Sequence, residues 1–163
     1  MSPERYVHTV PISWEQLHRD ARELCRRIQE HGPFTGIVAI ARGGLVPAAI
    51  VARELGIRRV ESMCVQSYDW QKQDASRVSI LNSLEGDGSG CLIIDDLVDT
   101  GRTARAVRAL LPKAYFAALY AKPEGRDLAD CFISEVSQDT WILLPWDSCL
   151  QFVQPLVKNI RDE

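Results

Sequence analysis

The segment CLIIDDLVDTGRTA, Cys91 to Ala104, places Asp95, Asp96, Asp99, Thr100, Gly101 and Thr103 where an apolar run meets a helical pattern. The start of a helix is an anion site, because its first N–H groups have no intrahelical acceptors and the dipole is positive there. Gly101 lets the backbone approach a phosphate closely, and the Thr100 and Thr103 hydroxyls can donate to its oxygens. Asp95 and Asp96 cannot hold an anion. They can accept hydrogen bonds from the two hydroxyls of a ribose, or hold Mg²⁺ through oxygen or water. Acids for a sugar beside amides for a phosphate suit a phosphorylated sugar. A helix cap and a solvated turn would explain two adjacent acids, but not the third acid, both threonines and the glycine together.

Ligands of open α/β sheets bind outside the carboxyl ends of the strands, so the segment needs a parallel sheet behind it. The sequence supplies one. Ser13 followed by Gln16 is a capping-box pattern, and Trp14, Leu17, Ala21, Leu24 and Ile28 form one helical stripe that stops at Gly32-Pro33. GIVAIA (36–41) reads as a strand buried on both faces, Arg42-Gly43-Gly44 as a turn, and Leu45 to Leu55 as a helix stopped by Gly56. Strands are expected over Val60 to Tyr68, 91–96, Ala114 to Ala121 and, at an edge, Cys131 to Val136. A helix is expected over Arg102 to Leu111, and the stretch from WILLPWD onward reads as loop and short strand. The polar stretch Asp69 to Gly88 has no period and is expected to be a lid or a long hairpin. Strand–helix alternation of this kind predicts an α/β domain with a mainly parallel sheet.

Composition narrows the partners. A net charge of −3 over 163 residues argues against a chain built to grip nucleic acid, which needs a basic face. Five widely spaced cysteines without a C-x-x-C pair predict reduced thiols rather than a disulfide framework or zinc site. The first residues lack the apolar core of a signal peptide, and no apolar run reaches the ~20 residues that span a bilayer.

IIDDLVDTGRTA resembles the diphosphoribosyl-binding signature of the type I phosphoribosyltransferases. AIARGGLVPAAIVARELGI (39–57), SYD (67–69), EGDGSG (85–90), YAKPEGR (120–126) and QDTWILLPWD (138–147) follow in the order and spacing of the bacterial purine-specific members. The resemblance runs from about Trp14 to Pro155. It implies the type I phosphoribosyltransferase fold: a mainly parallel twisted sheet flanked by helices, with a mobile lid loop about 69–88 and a small C-terminal hood about 138–155. All of it would form one domain, 1–163. The implied reaction is purine salvage: guanine and xanthine, and hypoxanthine less well, are joined to the ribose of 5-phosphoribosyl 1-diphosphate with release of pyrophosphate.

The resemblance also implies roles. Arg42 and Gly43 would form the pyrophosphate loop, with Gly43 in a strained backbone. Asp95 and Asp96 would bind the ribose hydroxyls and Mg²⁺, Asp96 being the metal-associated acid. Leu97 and Val98 lead into the loop Asp99, Thr100, Gly101, Arg102 and Thr103, which would cradle the 5′-phosphate. Asp99 would also serve as general base at N7 of the purine, completing a catalytic set with Asp95 and Asp96. Lys122 would donate to the 6-oxo group, Trp141 would stack on the base, and Ile142 would read its 2-substituent through backbone atoms, assisted by Asp147. Members carry a basic residue just before EGDG, where this chain has Asn82-Ser83-Leu84. Either Arg77 or Lys72 takes over that contact. A cytoplasmic homotetramer with weak peripheral association with the inner membrane is implied as well.

Two rivals share the motif. One is the same chemistry with hypoxanthine and guanine preferred. The other is a regulator that senses the diphosphoribosyl group without catalysis, which would need a nucleic-acid-binding element or a basic face that the sequence does not display. Rossmann and P-loop nucleotide binders lack support, since neither G-x-G-x-x-G after the first strand nor G-K-[ST] is present.

Overall fold

A computed structural model describes residues 6–67, 78–80 and 84–147. Its elements are β1 (His8–Pro11), α1 (Trp14–Ile28), β2 (Gly36–Ala41), α2 (Leu45–Leu55), β3 (Val60–Ser67), β4 (Val78–Ile80), β5 (Cys91–Val98), α3 (Arg102–Leu110), β6 (Tyr115–Ala121), β7 (Cys131–Glu135) and β8 (Thr140–Leu143). The main sheet has the order β4-β3-β2-β5-β6-β7. All its neighbours pair in parallel except β3 and β4. The order reverses between β2 and β5, and the crevice at such a switch point is where ligands of this class of sheet bind.

Strand residues alternate between two cores. Ile37, Ala39, Leu92 and Ile94 pack with Leu17, Ala21, Leu24 and Ile28 of α1 and with Ala48 and Val51 of α2. Val38, Ile40, Ile93 and Phe116 pack with Ala104 and Val107 of α3 on the opposite face. Burial on both faces is why these strands read as continuous apolar runs rather than alternating ones. Helix α1 begins where expected, the Ser13 hydroxyl accepting from the Gln16 amide. Trp14 departs from the expected stripe: it is 53% exposed and stands at the helix start against the Trp146 ring, 6.2 Å away. Gly56 ends α2 with φ 66°, a left-handed backbone that glycine adopts without penalty.

Four cysteines lie among the described residues. Cys25 is buried and the other three, Cys64, Cys91 and Cys131, are half-buried; burial pushes the Cys25 thiol up to about 11, which keeps it an unreactive core group.

Two elements were not expected. Strand β1 pairs in parallel with β8, His8 opposite Thr140 and Pro11 opposite Leu143, so the hood is built from both the N-terminal segment and residues 140–143. Strand β4, within the polar stretch, pairs antiparallel with β3, Val65 opposite Ile80 and Ser67 opposite Val78. EGDGSG is held away from the carboxyl ends of the strands. The Asp87 carboxylate pairs with Lys113 at 2.7 Å, and the Asp87 carbonyl accepts from the Lys113 amide at 2.9 Å, just before β6. The lid expectation for residues 69–77 and 81–83, with Lys72 and Arg77, lies outside the described residues.

Candidate active site

Strand β5 runs through both acids and continues to Val98 because Leu97 and Val98 still pair with Tyr120 and Ala121 of β6. Asp95 and Asp96 therefore lie within the last half of the strand. Asp95 is 7% exposed. Its Oδ1 accepts from the Asp96 amide at 2.9 Å, and Asp96 Oδ1 from the Leu97 amide at 2.7 Å. Burial pushes the Asp95 carboxyl well above the usual carboxylate range, and the Asp96 charge adds to the effect. Burial also raises Asp96, with the charge of Asp147 acting in the same direction. Two crowded acids whose ionised forms are disfavoured are completed by a cation or by hydroxyl donors.

Across the switch point, a Cβ on Gly43 would overlap the Asp96 carboxylate. Glycine stands here because an acid lies against the turn. Its φ is not in the left-handed region, so the expectation of a strained Gly43 is corrected to one of close approach. The Ala41–Arg42 peptide is cis, and Arg42 is exposed at the rim of the crevice.

Beyond Val98 the chain bends through Asp99 and Thr100 to Gly101, the N-cap of α3 at φ 76°, with no side-chain cap on the helix. The first turn of α3, with Arg102 exposed and Thr103 half-buried, thus begins at the carboxyl end of β5, beside the crevice. Sequence reading missed what shapes this loop. A Cβ on Gly125 would meet the Asp99 carbonyl oxygen and the Gly101 nitrogen, each at 2.7 Å. Gly125 is the glycine of AKPEGR, and its role is legible only once the turn after β6 is seen stacked on the loop after β5. Overpacking there costs about 1–3 kcal/mol. Gly125→Ala is expected to raise the KM for a phosphate-bearing substrate about tenfold, measured by steady-state kinetics, with a smaller change for a phosphate-free one.

Lys122 follows β6, its amide donating to the Val98 carbonyl at 2.9 Å. Its side chain is 1% exposed and its ammonium lies 3.2 Å from Asp99 Oδ2. A charge buried this deeply needs a partner, and Asp99 supplies it. Asp99 accepts two further hydrogen bonds, from the Tyr6 hydroxyl on Oδ2 at 3.2 Å and from Gln138 Nε2 on Oδ1 at 2.7 Å. The Tyr6 ring faces Lys122 Nζ at 4.6 Å and meets Trp141 edge-on with 5.1 Å between ring centres. Neither Tyr6 nor Gln138 was singled out in the sequence. Tyr6 sits in no periodic pattern, and Gln138 stands in QDTWILLPWD without a role assigned.

A sequence profile described as "Phosphoribosyl transferase domain" matches residues 13–152. The chain belongs to the phosphoribosyltransferase family.

Its relatives agree. A xanthine-guanine phosphoribosyltransferase of Nitratidesulfovibrio vulgaris is 62% identical over 96% of this chain and 95% of its own. One of Chromohalobacter salexigens is 52% identical over 99% and 98%. Among solved structures, the purine phosphoribosyltransferase of Pyrococcus horikoshii superposes with a TM-score of 0.75 at 25% identity, covering 90% of this chain and 99% of the other. The type I phosphoribosyltransferase fold expected from the sequence is the fold observed.

In this family frame the site divides into two halves. One half gathers Arg42, Gly43, Asp95, Asp96 and the loop from Leu97 to Thr103 around the switch point between β2 and β5. The second half lies under the hood: Lys122, Asp99, Trp141 and Tyr6. Ile142 is 5% exposed and its side chain belongs to the α1-side core, so it can meet a ligand only through its backbone. Asp147 accepts from the Leu144 amide at 2.9 Å and donates its own amide to the Leu144 carbonyl. These bonds close the turn that follows β8.

Proposed function

We propose that this protein transfers the 5-phosphoribosyl group of 5-phosphoribosyl 1-diphosphate to guanine and xanthine, and less well to hypoxanthine, releasing pyrophosphate. The reading is carried by the Lys122–Asp99 pair, a buried donor and an acceptor 3.2 Å apart. A 6-oxopurine carries O6 and N7 on one edge. With N7 protonated, O6 accepts from Lys122 while N7–H donates to Asp99. Adenine would present its 6-amino donor to the ammonium, setting donor against donor where a 6-oxo group would accept. Trp141 offers a face for the ring, and the backbone at Ile142 reads the 2-position. The xanthine-guanine activity named for the relatives supports the same bases.

Asp95 and Asp96 hold the ribose hydroxyls, and the amides and hydroxyls from Asp99 to Thr103 hold the 5′-phosphate. As N9 forms its bond to the anomeric carbon, the bond from that carbon to the diphosphate oxygen breaks and its electron pair leaves with pyrophosphate. Asp99 accepts the N7 proton, and Arg42 offers charge to the departing diphosphate. Positioning and charge stabilisation, rather than a covalent nucleophile, lower the barrier.

The site fits Mg²⁺. Among the described residues no cluster of three or more metal-binding side chains exists, but Mg²⁺ commonly takes one or two carboxylates and completes its shell with water and substrate phosphates. Asp96, with Asp95, offers such oxygens, and a dication there would neutralise charge on the leaving diphosphate. A homotetramer in the cytoplasm with weak peripheral membrane association is part of the proposal through the family resemblance; no described helix is long and apolar enough to cross a membrane.

Incubation of the purified protein with guanine, phosphoribosyl diphosphate and Mg²⁺ is expected to yield GMP and pyrophosphate in equal amounts, and chelation of the metal to stop it. Binding of the diphosphate without product from any purine would favour the sensor reading instead.

A further inference from the structure

The Asp99 carboxylate has two oxygens with different surroundings. Oδ2 faces the space under the hood, where Lys122 and Tyr6 converge on it. Oδ1 faces away and accepts from Gln138 Nε2 at 2.7 Å. The other end of the same amide, Gln138 Oε1, accepts from the Glu124 amide at 3.1 Å, in the turn that follows Lys122. One side chain therefore ties the loop after β5 to the turn after β6. Its own anchor is firm. The Ser137 hydroxyl bonds Asp139 Oδ1 at 2.6 Å and Thr140 Oγ1 at 2.7 Å, and the Thr140 amide donates to the Ser137 carbonyl at 3.1 Å. The Asp139 carbonyl in turn accepts from the Val7 amide at 2.8 Å.

We infer that Gln138 is a positioning residue for proton transfer: it fixes the rotation of the Asp99 carboxylate so that Oδ2, and not Oδ1, meets N7 of the base. The inference rests on the proposed function. Lys122 alone cannot set that rotation, because an ammonium is a point charge with three freely directed donors. A planar amide with one end on the Glu124 backbone has a single way to present Nε2. Since proton transfer requires heavy atoms within about 2.6–3.2 Å, a rotated Asp99 would bind substrates and turn them over slowly.

Two variants test this against an active wild-type control. Gln138→Leu removes the donor, and is expected to lower kcat about 10- to 100-fold while the KM for phosphoribosyl diphosphate and the thermal shift it produces stay within twofold. Gln138→Glu keeps the acceptor for Glu124 but sets a carboxylate against Oδ1. Charged groups around this loop include Lys122 after β6, Glu124 in the same turn, Arg105 of α3 on the Thr100 carbonyl, Asp139 beside Gln138 with His8 of β1 near it, and Asp96 on β5, with the Tyr6 phenol ahead of β1; none of them changes in this variant. A like charge so close disfavours ionised Asp99, so the acid limb of the kcat profile should move to higher pH by about one unit. Unchanged kcat in the first variant, or an unmoved acid limb in the second, overturns the inference. Inactive wild type would instead overturn the proposed function.

Discussion

Lys122→Met is expected to lower kcat/KM for guanine about 10²- to 10³-fold, the cost of losing a preorganised donor at a reacting edge. Methionine has nearly the length of lysine and suits the 1%-exposed slot, so packing changes little. What is lost is the donor to O6 and the partner of Asp99. With the ammonium gone, the penalty against the 6-amino group of adenine also goes, so the guanine-to-adenine ratio should collapse even though both rates are low. Steady-state kinetics with both bases measures this. Retained preference for guanine would place recognition of the 6-position elsewhere.

The second large effect separates activity from stability. Asp95→Asn preserves Oδ1, which accepts from the Asp96 amide at 2.9 Å, but removes a charge held in a buried site beside another acid. Activity is expected to fall at least ~10²-fold through loss of ribose positioning. Thermal stability without ligands should rise, with Tm about 3 °C higher, the shift that ~1 kcal/mol produces at this size. The sign follows from the direction of the Asp95 shift. A carboxyl raised in the folded state leaves stability intact below the unfolded value near ~4 and loses it as pH rises towards the folded value. The gap between variant and wild type should therefore open as pH rises above about 4 and close in acid. A lower Tm for the asparagine variant at neutral pH would contradict the reading of Asp95 as a strained acid. Such trades of stability for function are expected where a site crowds like charges.

The parallel core was legible because its strands are buried on both faces and so appear as unbroken apolar runs, and because Ser13 and Gly56 mark helix ends in their own side chains and backbone. The acids of β5 and the loop that follows them were legible because they lie on one continuous segment. What escaped was made by contacts distant in sequence. Strand β1 is four exposed residues, His8 to Pro11, whose pairing exists only because β8 lies beside it. Gly125 matters only through Asp99 and Gly101, and Gln138 only through Asp99 and Glu124. EGDGSG looked like the end of a lid because it is polar and rich in glycine; the Asp87–Lys113 pair makes it an anchor for β5 and β6 instead. Trp14 matched the helical period, but a residue at the first turn can obey the period and still overhang the core.

The most direct measurement is kcat/KM for guanine, xanthine, hypoxanthine and adenine, each with saturating phosphoribosyl diphosphate and Mg²⁺. Guanine and xanthine should lead, hypoxanthine should follow, and adenine should fall at least ~10³-fold behind, as at a site whose buried donor is left facing another donor. Adenine turned over at a rate comparable to guanine would contradict the role given to the Lys122–Asp99 pair.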